Sequence, residues 1–247
     1  MKFENTHVYN MENAIRGMRF PMQSEDKSDT TLWYSDLRLK GEVEVGKADM
    51  VLAQKLIKAG STHRKFLRQI LVSVDITAPL YWWKEFDTYK VGTVANSEST
   101  MHRLASTPIT LDCFETDDYE PILSFEVGID DRGDNPWDYD LCVSDVIGDC
   151  ETNYYFGETF IGFLESLRQA YLNTKDKKYW KELIRWLPES WLQKRAVTMN
   201  YETLFAICSK DQRRNHKLTE WSESFMNWAR SLPYAQEFLF IDEVSND

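Results

Sequence analysis

Several features that mark large protein classes are scarce in this sequence. Its four cysteines, Cys113, Cys142, Cys150 and Cys208, show no Cys-x-x-Cys spacing, which argues against a metal site and predicts reduced thiols in a cytoplasmic protein. No apolar run reaches the roughly 18 residues that a membrane-spanning helix needs. The N-terminal residues lack the apolar stretch of a signal peptide. We therefore expect no bound metal, no membrane association and a cytoplasmic location.

Positive charge is also scarce. Lysine and arginine total 29 against 40 aspartates and glutamates, a net charge of −11, which argues against nucleic acid as a partner because phosphates bind to basic surfaces. A few well-placed arginines can still hold a small anionic ligand. The sequence has no glycine-rich phosphate loop, dinucleotide fingerprint or nucleophile elbow.

Hydrophobic residues are plentiful, at 43% of 247 residues, and predict a single domain over residues 1–247. Nine tryptophans either fill the core or line a pocket or subunit interface. Residues 111–152 are rich in Asp and Glu, and we interpret them as an acidic insertion, the alternative being an ordinary solvated face.

Periodicity in the rest of the chain predicts both helices and strands. Apolar residues alternate from Val72 to Ile76, as in a half-buried strand, and Arg195–Met199 is a second extended candidate. Helical spacing predicts helices at residues 50–57 ending at Gly60, after Pro79, at 160–171, at 177–186, from Asn200 to Cys208, and at 221–229.

Polar clusters supply the candidate site residues, and each has a structural alternative. His63 is either a buried structural histidine or a ligand contact. The segment Asn96–Thr100 is either a turn or a phosphate-binding loop. Arg213 and Arg214 either complement a helix C-terminus or hold a phosphate or an ionised base edge.

The order of these features resembles the flavin-dependent thymidylate synthase family. The resemblance covers residues 47–103 and 156–232 and gives His63 the place of a histidine beside the flavin. The matching features are His63, Ala78-Pro79-Leu80-Tyr81 after a strand, the Ser/Asn-rich segment, Leu187-Pro188, Thr198-Met199-Asn200, and Arg214 before Trp221.

The family signature, Arg-His-Arg-x-x-Ser-x-Asn-Glu-x-Ser-x-Arg-Tyr, matches only in part. With one inserted residue, Asn96 and Ser99 match its Asn and second Ser, and the segment Thr88-Tyr89-Lys90 replaces Arg-His-Arg. Ser97 replaces the Glu, Met101-His102 replaces Arg-Tyr, and Glu202 replaces an arginine that contacts the flavin. Arg103, two residues beyond Met101, is a candidate replacement phosphate ligand, and Trp82 and Trp83 are candidate stacking partners for a flat ring.

The resemblance implies an α+β fold with a central, mostly antiparallel sheet flanked by helices. It implies methylation of dUMP with methylenetetrahydrofolate, FAD as cofactor, NADPH as the source of reducing equivalents, and a homotetramer. The implied roles are catalysis by Ser99 and Arg214, cofactor binding by His63, Lys90 and Asn200, and substrate binding by Asn96, Ser99, Arg103 and Arg214.

Two other interpretations fit the partial signature. The chain is then either a flavin-free module on the same fold, binding a pyrimidine nucleotide or a basic protein partner, or a flavin enzyme that modifies a different pyrimidine nucleotide.

Overall fold

The computed structural model describes residues 1–35, 40–117, 124–125 and 154–243. Its strands are β1 Lys2–Tyr9, β2 Thr31–Ser35, β3 Lys40–Glu44, β4 Leu71–Pro79, β5 Val94–Ser97, β6 Ser124–Phe125, β7 Tyr154–Tyr155 and β8 Leu192–Asn200. Its α-helices are α1 Met11–Gly17, α2 Lys47–Lys58, α3 Leu80–Phe86, α4 Thr100–Ser106, α5 Phe156–Thr174, α6 Lys177–Trp186, α7 Tyr201–Ile207, α8 Lys210–Asn215, α9 Met226–Arg230 and α10 Ala235–Phe238.

The described residues form two compact units. The first comprises Met1–Ser97 and Gln193–Asp247, and the second comprises Glu98–Leu192. A four-stranded sheet in the order β1-β4-β8-β5 organises the first unit, with β1 antiparallel to β4 and β5 antiparallel to β8. The predicted α+β class with a mostly antiparallel sheet is confirmed, while the single domain over 1–247 remains a prediction.

Strand β4 follows its sequence pattern closely. Val72, Val74 and Ile76 are buried and the residues between them are half-buried, as expected for a strand with one face on the core. Its edge partner β1 was not predicted, because most of its side chains are exposed and backbone pairing with β4 leaves no apolar period to detect.

Aromatic side chains dominate the core of the first unit. Trp82 and Trp83 are at most 1% exposed, and Trp82 stacks on Phe86 with ring centroids 5.0 Å apart. Trp83 donates its indole N–H to the Gln193 carbonyl. The expectation that this tryptophan pair stacks on a ligand ring is wrong: both rings are occupied inside the core.

Helix α2 carries a buried charge network on its first turn. The Asp49 carboxylate is fully buried and accepts hydrogen bonds from Arg19, Ser28 and Thr30. Burial alone raises the pKa of Asp49, but these hydrogen bonds and the Arg19 charge outweigh it and hold the pKa below its usual range. The network attaches the segment after α1 to α2, which ends before Gly60 in a left-handed backbone (φ 103°) as predicted.

The second unit contains α4 and the helix pair α5–α6. Its buried side chains include Leu104, Leu164 and Leu183, and the predicted helices at 160–171 and 177–186 are confirmed by α5 and α6. Most of the predicted acidic insertion at 111–152 lies outside the described residues.

Cys113 and Cys208 are buried free thiols, and burial raises the pKa of Cys208 to about 12. Cys142 and Cys150 lie outside the described residues. Within the described ranges, no helix has both the length and the apolar character to span a bilayer, and His, Cys, Asp and Glu side chains do not group in a way that would hold a metal ion.

We expect Asp49→Asn to lower the free energy of unfolding at neutral pH by about 3–5 kcal/mol, because Arg19 loses its buried partner charge. The folded-state pKa of Asp49 is lowered, so its contribution is complete above the unfolded-state pKa of about 3.9 and is lost as the pH falls through the folded-state value. Urea unfolding of wild type and variant should therefore converge in strong acid. Asp26→Asn, at an exposed position, is the control, and equal effects of the two changes at pH 7 would contradict the assignment.

Candidate functional site

A cleft of about 510 Å³ opens in the first unit between the turn after α3 and the start of α7. This volume is in the range of small-molecule sites. Its lining residues are Arg68, Thr88, Tyr89, Lys90, Val91, Asn200, Glu202, Thr203 and Ala206. Both cationic and hydrogen-bonding side chains therefore reach one concave surface.

A side-chain hydrogen bond joins the turn after α3 to α7. The Thr203 hydroxyl donates to the Val91 carbonyl over 2.6 Å. Gly92 follows in a left-handed conformation (φ 75°), and a Cβ built on it would meet the Asn200 amide nitrogen at 2.2 Å. Glycine is required there both by the backbone angle and by the close approach.

Asn200 begins α7 as its N-cap, as the sequence predicts. Its side-chain oxygen accepts from the Thr203 backbone N–H over 2.9 Å and lies 3.1 Å from the Thr203 hydroxyl oxygen. The oxygen is thus used by the helix. The amide group of Asn200 is the part that can donate to a ligand in the cleft.

Charge in the cleft is cationic in balance. Lys90 and Arg68 are exposed at its wall, and Arg68 donates to the Ser61 carbonyl over 3.2 Å. Glu202 is the opposing charge, and it is paired with Arg64, whose Nε lies 3.1 and 2.9 Å from the two carboxylate oxygens. This pairing leaves Lys90 and Arg68 to set the sign of the cleft.

Tyr89 is the aromatic residue among those that line the cleft. Its ring centroid lies 5.6 Å from that of the buried Trp221. Burial, and then the Glu85 carboxylate, raise the pKa of Tyr89, so the phenol stays protonated at neutral pH. Tyr89 therefore contributes an uncharged aromatic side chain to the lining of the cleft.

The structure brings together two of the predicted site residues of the first unit, Lys90 and Asn200, at this cleft. His63 is exposed in the turn before the 3₁₀ helix Lys65–Gln69, and it does not line the cleft. Asn96 is exposed on edge strand β5 opposite Ala196. Arg214 is exposed in the last turn of α8 and makes no ion pair or hydrogen bond with the described residues.

Ser99 and Arg103 belong to the second unit. Ser99 is the N-cap of α4 and accepts from the His102 backbone N–H over 3.3 Å. Arg103 donates to Glu98 and to the Leu192 carbonyl, each over 2.8 Å. The Arg103 guanidinium is thus engaged within its own unit.

The sequence interpretation missed Arg68 and Thr203 as lining residues. Arg68 lies in the short segment between α2 and β4, where only His63 was selected. Thr203 was not selected because it lies inside a predicted helix. Its position three residues after the N-cap Asn200 is, however, where a capping interaction forms.

We expect Gly92→Ala to be strongly coupled to Asn200, since the added Cβ collides with the Asn200 amide. Overpacking of this kind costs about 1–3 kcal/mol, and Asn200→Ala should relieve it. A double-mutant cycle measured by urea unfolding tests this coupling. Gly60→Ala, at a left-handed glycine with open space around its Cβ position, should be additive with Asn200→Ala; additivity at Gly92 as well would contradict the contact.

Neither a family profile nor a curated protein sequence matches the chain. Solved structures do. A Helicobacter pylori flavin-dependent thymidylate synthase, ThyX, complexed with FAD and dUMP, is similar with a TM-score of 0.61 and 17% identity over 99% of this chain and 100% of that chain.

Another Helicobacter pylori ThyX structure with FAD and dUMP is similar with a TM-score of 0.59 and 18% identity over 98% of each chain. A UMP/dUMP methylase, PolB, from Streptomyces cacaoi, bound with 5-Br dUMP, is similar with a TM-score of 0.53 and 14% identity over 98% of this chain and 95% of that chain. The chain therefore has the fold of the flavin-dependent thymidylate synthases.

Proposed function

We propose that this chain is a flavin-dependent thymidylate synthase-like enzyme that binds FAD and methylates dUMP with methylenetetrahydrofolate, using NADPH as reductant. One observation carries the proposal. Lys90 and Asn200, which the sequence resemblance gives to the cofactor, line one cleft in a chain that shares its fold with FAD-bound thymidylate synthases along nearly its full length.

The donors of the cleft fit a flavin nucleotide. FAD combines a flat ring system with an anionic diphosphate. Tyr89 supplies an aromatic face, Lys90 and Arg68 supply positive charge, and the Asn200 amide supplies a donor. A bound flavin would carry reducing equivalents, while the protein orients and binds.

The remaining roles are proposals on the same basis. Arg214, with a guanidinium free of the described side chains, is proposed to bind the pyrimidine edge, and Ser99 and Asn96 to bind the nucleotide. His63 is proposed to lie beside the flavin. Arg103 takes a phosphate only by exchanging its bonds to Glu98 and Leu192. A homotetramer is proposed as the assembly.

We expect purified protein to carry the yellow absorbance of flavin, or to bind added FAD, and to bind dUMP in calorimetry. Lys90→Gln should weaken FAD binding about 10-fold or more, because a hydrogen bond to a charged group contributes about 1.5–3 kcal/mol. Lys58→Gln, at the exposed end of α2, is the matched control and should bind as wild type does. Binding of neither ligand would eliminate the enzymatic proposal.

Two observations favour testing a flavin-free nucleotide-binding module as the second candidate. Glu202 stands where the family has a flavin-contacting arginine, and Thr88-Tyr89-Lys90 replaces Arg-His-Arg. This candidate predicts dUMP binding without flavin absorbance.

Complementation separates the candidates by activity. An active thymidylate synthase should restore growth of a thymidine-requiring bacterium, and a flavin-free module should not. A flavin protein that fails to complement but binds UMP would instead be an enzyme that acts on a different pyrimidine nucleotide. The similarity to the UMP/dUMP methylase is the reason to include this third outcome. An empty vector provides the baseline for growth.

A further inference from the structure

Arg64 is a half-buried cation beside the cleft that neither the sequence motifs nor the family resemblance assigns. It immediately precedes the 3₁₀ helix Lys65–Gln69, and its side chain is 19% exposed. Arg64 does not line the cleft itself but contacts a lining residue, Glu202. Its charge therefore acts at the cleft wall.

The guanidinium of Arg64 is held on two sides. Both carboxylate oxygens of Glu202 accept from its Nε, and its central carbon lies 4.3 Å from the centroid of the Phe205 ring. Among the described residues, neither Nη1 nor Nη2 has a hydrogen-bond partner. Nη1 and Nη2 are therefore left to donate to a ligand, and the planar fork of arginine can bind phosphate in a bidentate manner.

We propose that Arg64, oriented by Glu202 and Phe205, forms a phosphate- or diphosphate-binding subsite with Arg68 and Lys90. The identity of the ligand that brings the phosphate rests on the proposed function. The subsite explains how a chain without Arg-His-Arg retains an anion site: the forked cation is supplied from the segment before β4 instead of from the turn after α3.

Glu202 has a specific part in this subsite. In isolation, a carboxylate at the cleft wall would repel a phosphate. Because Glu202 accepts from the Nε of Arg64, its charge is compensated and its position fixes the guanidinium plane. A simple structural ion pair makes a different prediction, since its loss would change stability without distinguishing phosphate-bearing ligands from phosphate-free ones.

The test compares Arg64→Lys, which keeps the charge but removes the fork, with Arg16→Lys. Arg16 is a matched control, because it also lies over a phenylalanine ring and bonds a side chain, but these two partners, Phe20 and Asn13, do not line the cleft. Inorganic pyrophosphate binding to the full chain is measured by calorimetry. We expect Arg64→Lys to weaken binding at least 10-fold and Arg16→Lys to leave it unchanged. Wild type that does not bind pyrophosphate, or an Arg64→Lys protein that binds it normally, overturns the proposal.

Four organic ligands identify the source of the phosphate. FAD is compared with riboflavin, and dUMP with deoxyuridine. If the subsite holds the cofactor diphosphate, Arg64→Lys weakens FAD binding and spares riboflavin; if it holds the substrate phosphate, the loss appears with dUMP and spares deoxyuridine. Equal losses for phosphate-bearing and phosphate-free ligands would show a structural role and overturn the proposal.

A further variant protects the test against misfolding. Arg68 is exposed, so Arg68→Gln should fold normally and weaken pyrophosphate binding several-fold; normal binding would overturn its part in the subsite. Failure of the two proposals is distinguishable. If pyrophosphate binds through Arg64 but neither FAD nor dUMP binds, the subsite proposal stands and the enzymatic proposal fails. If FAD and dUMP bind and Arg64→Lys does not affect them, the enzymatic proposal stands and the subsite proposal fails.

Discussion

The hydrogen bond from the Thr203 hydroxyl to the Val91 carbonyl joins two segments that are far apart in sequence, and the cleft exists between them. The bond is possible because Gly92 allows the chain to turn in a left-handed conformation against the Asn200 amide. Asn200, in turn, fixes Thr203 by capping α7. These groups share their contacts, so each position limits what the others can be.

The aromatic core provides the rigid support for this arrangement. Trp82 and Trp221 are fully buried and their ring centroids lie 5.4 Å apart, and Trp221 also packs near Tyr89 at the cleft wall. The indole N–H groups of both tryptophans have no partner among the described residues, a cost of about 1–3 kcal/mol for each buried donor. Dense aromatic packing offsets that cost and fixes the end of α3, from which the turn to Tyr89 begins.

The sequence predicted the elements whose periodicity was imposed by a buried face. Strand β4 and helix α2 were found because alternate or helically spaced residues meet the core, and the N-cap at Asn200 was found from side-chain chemistry alone. Strand β1 was missed because backbone pairing, not apolar side chains, holds it on β4. The tryptophan pair in α3 was misinterpreted for a related reason: composition cannot show which way a ring points.

The candidate site was predictable to a smaller extent, and the reason is physical. Motif order brought Lys90 and Asn200 to attention, and both line the cleft. Motif order could not identify Arg64, because its partner Glu202 lies 138 residues away in the sequence. Spatial pairs between distant segments leave no spacing in a single sequence.

The Arg64–Glu202 pair also changes the meaning of an apparent defect. In the sequence comparison with the family pattern, Glu202 stands in place of an arginine, in a protein whose net charge is already −11. This difference alone predicts a cleft that repels phosphate. In the structure, the charge of the same carboxylate is compensated by Arg64, which it also holds in position. The net positive charge of the cleft therefore comes from Lys90 and Arg68. Local pairing within a few ångströms outweighs net charge, because exposed charges beyond about 10 Å are screened by salt while a half-buried pair is screened much less. A loss of charge in a motif is therefore evidence against a site only after the neighbours of the substituted residue are known.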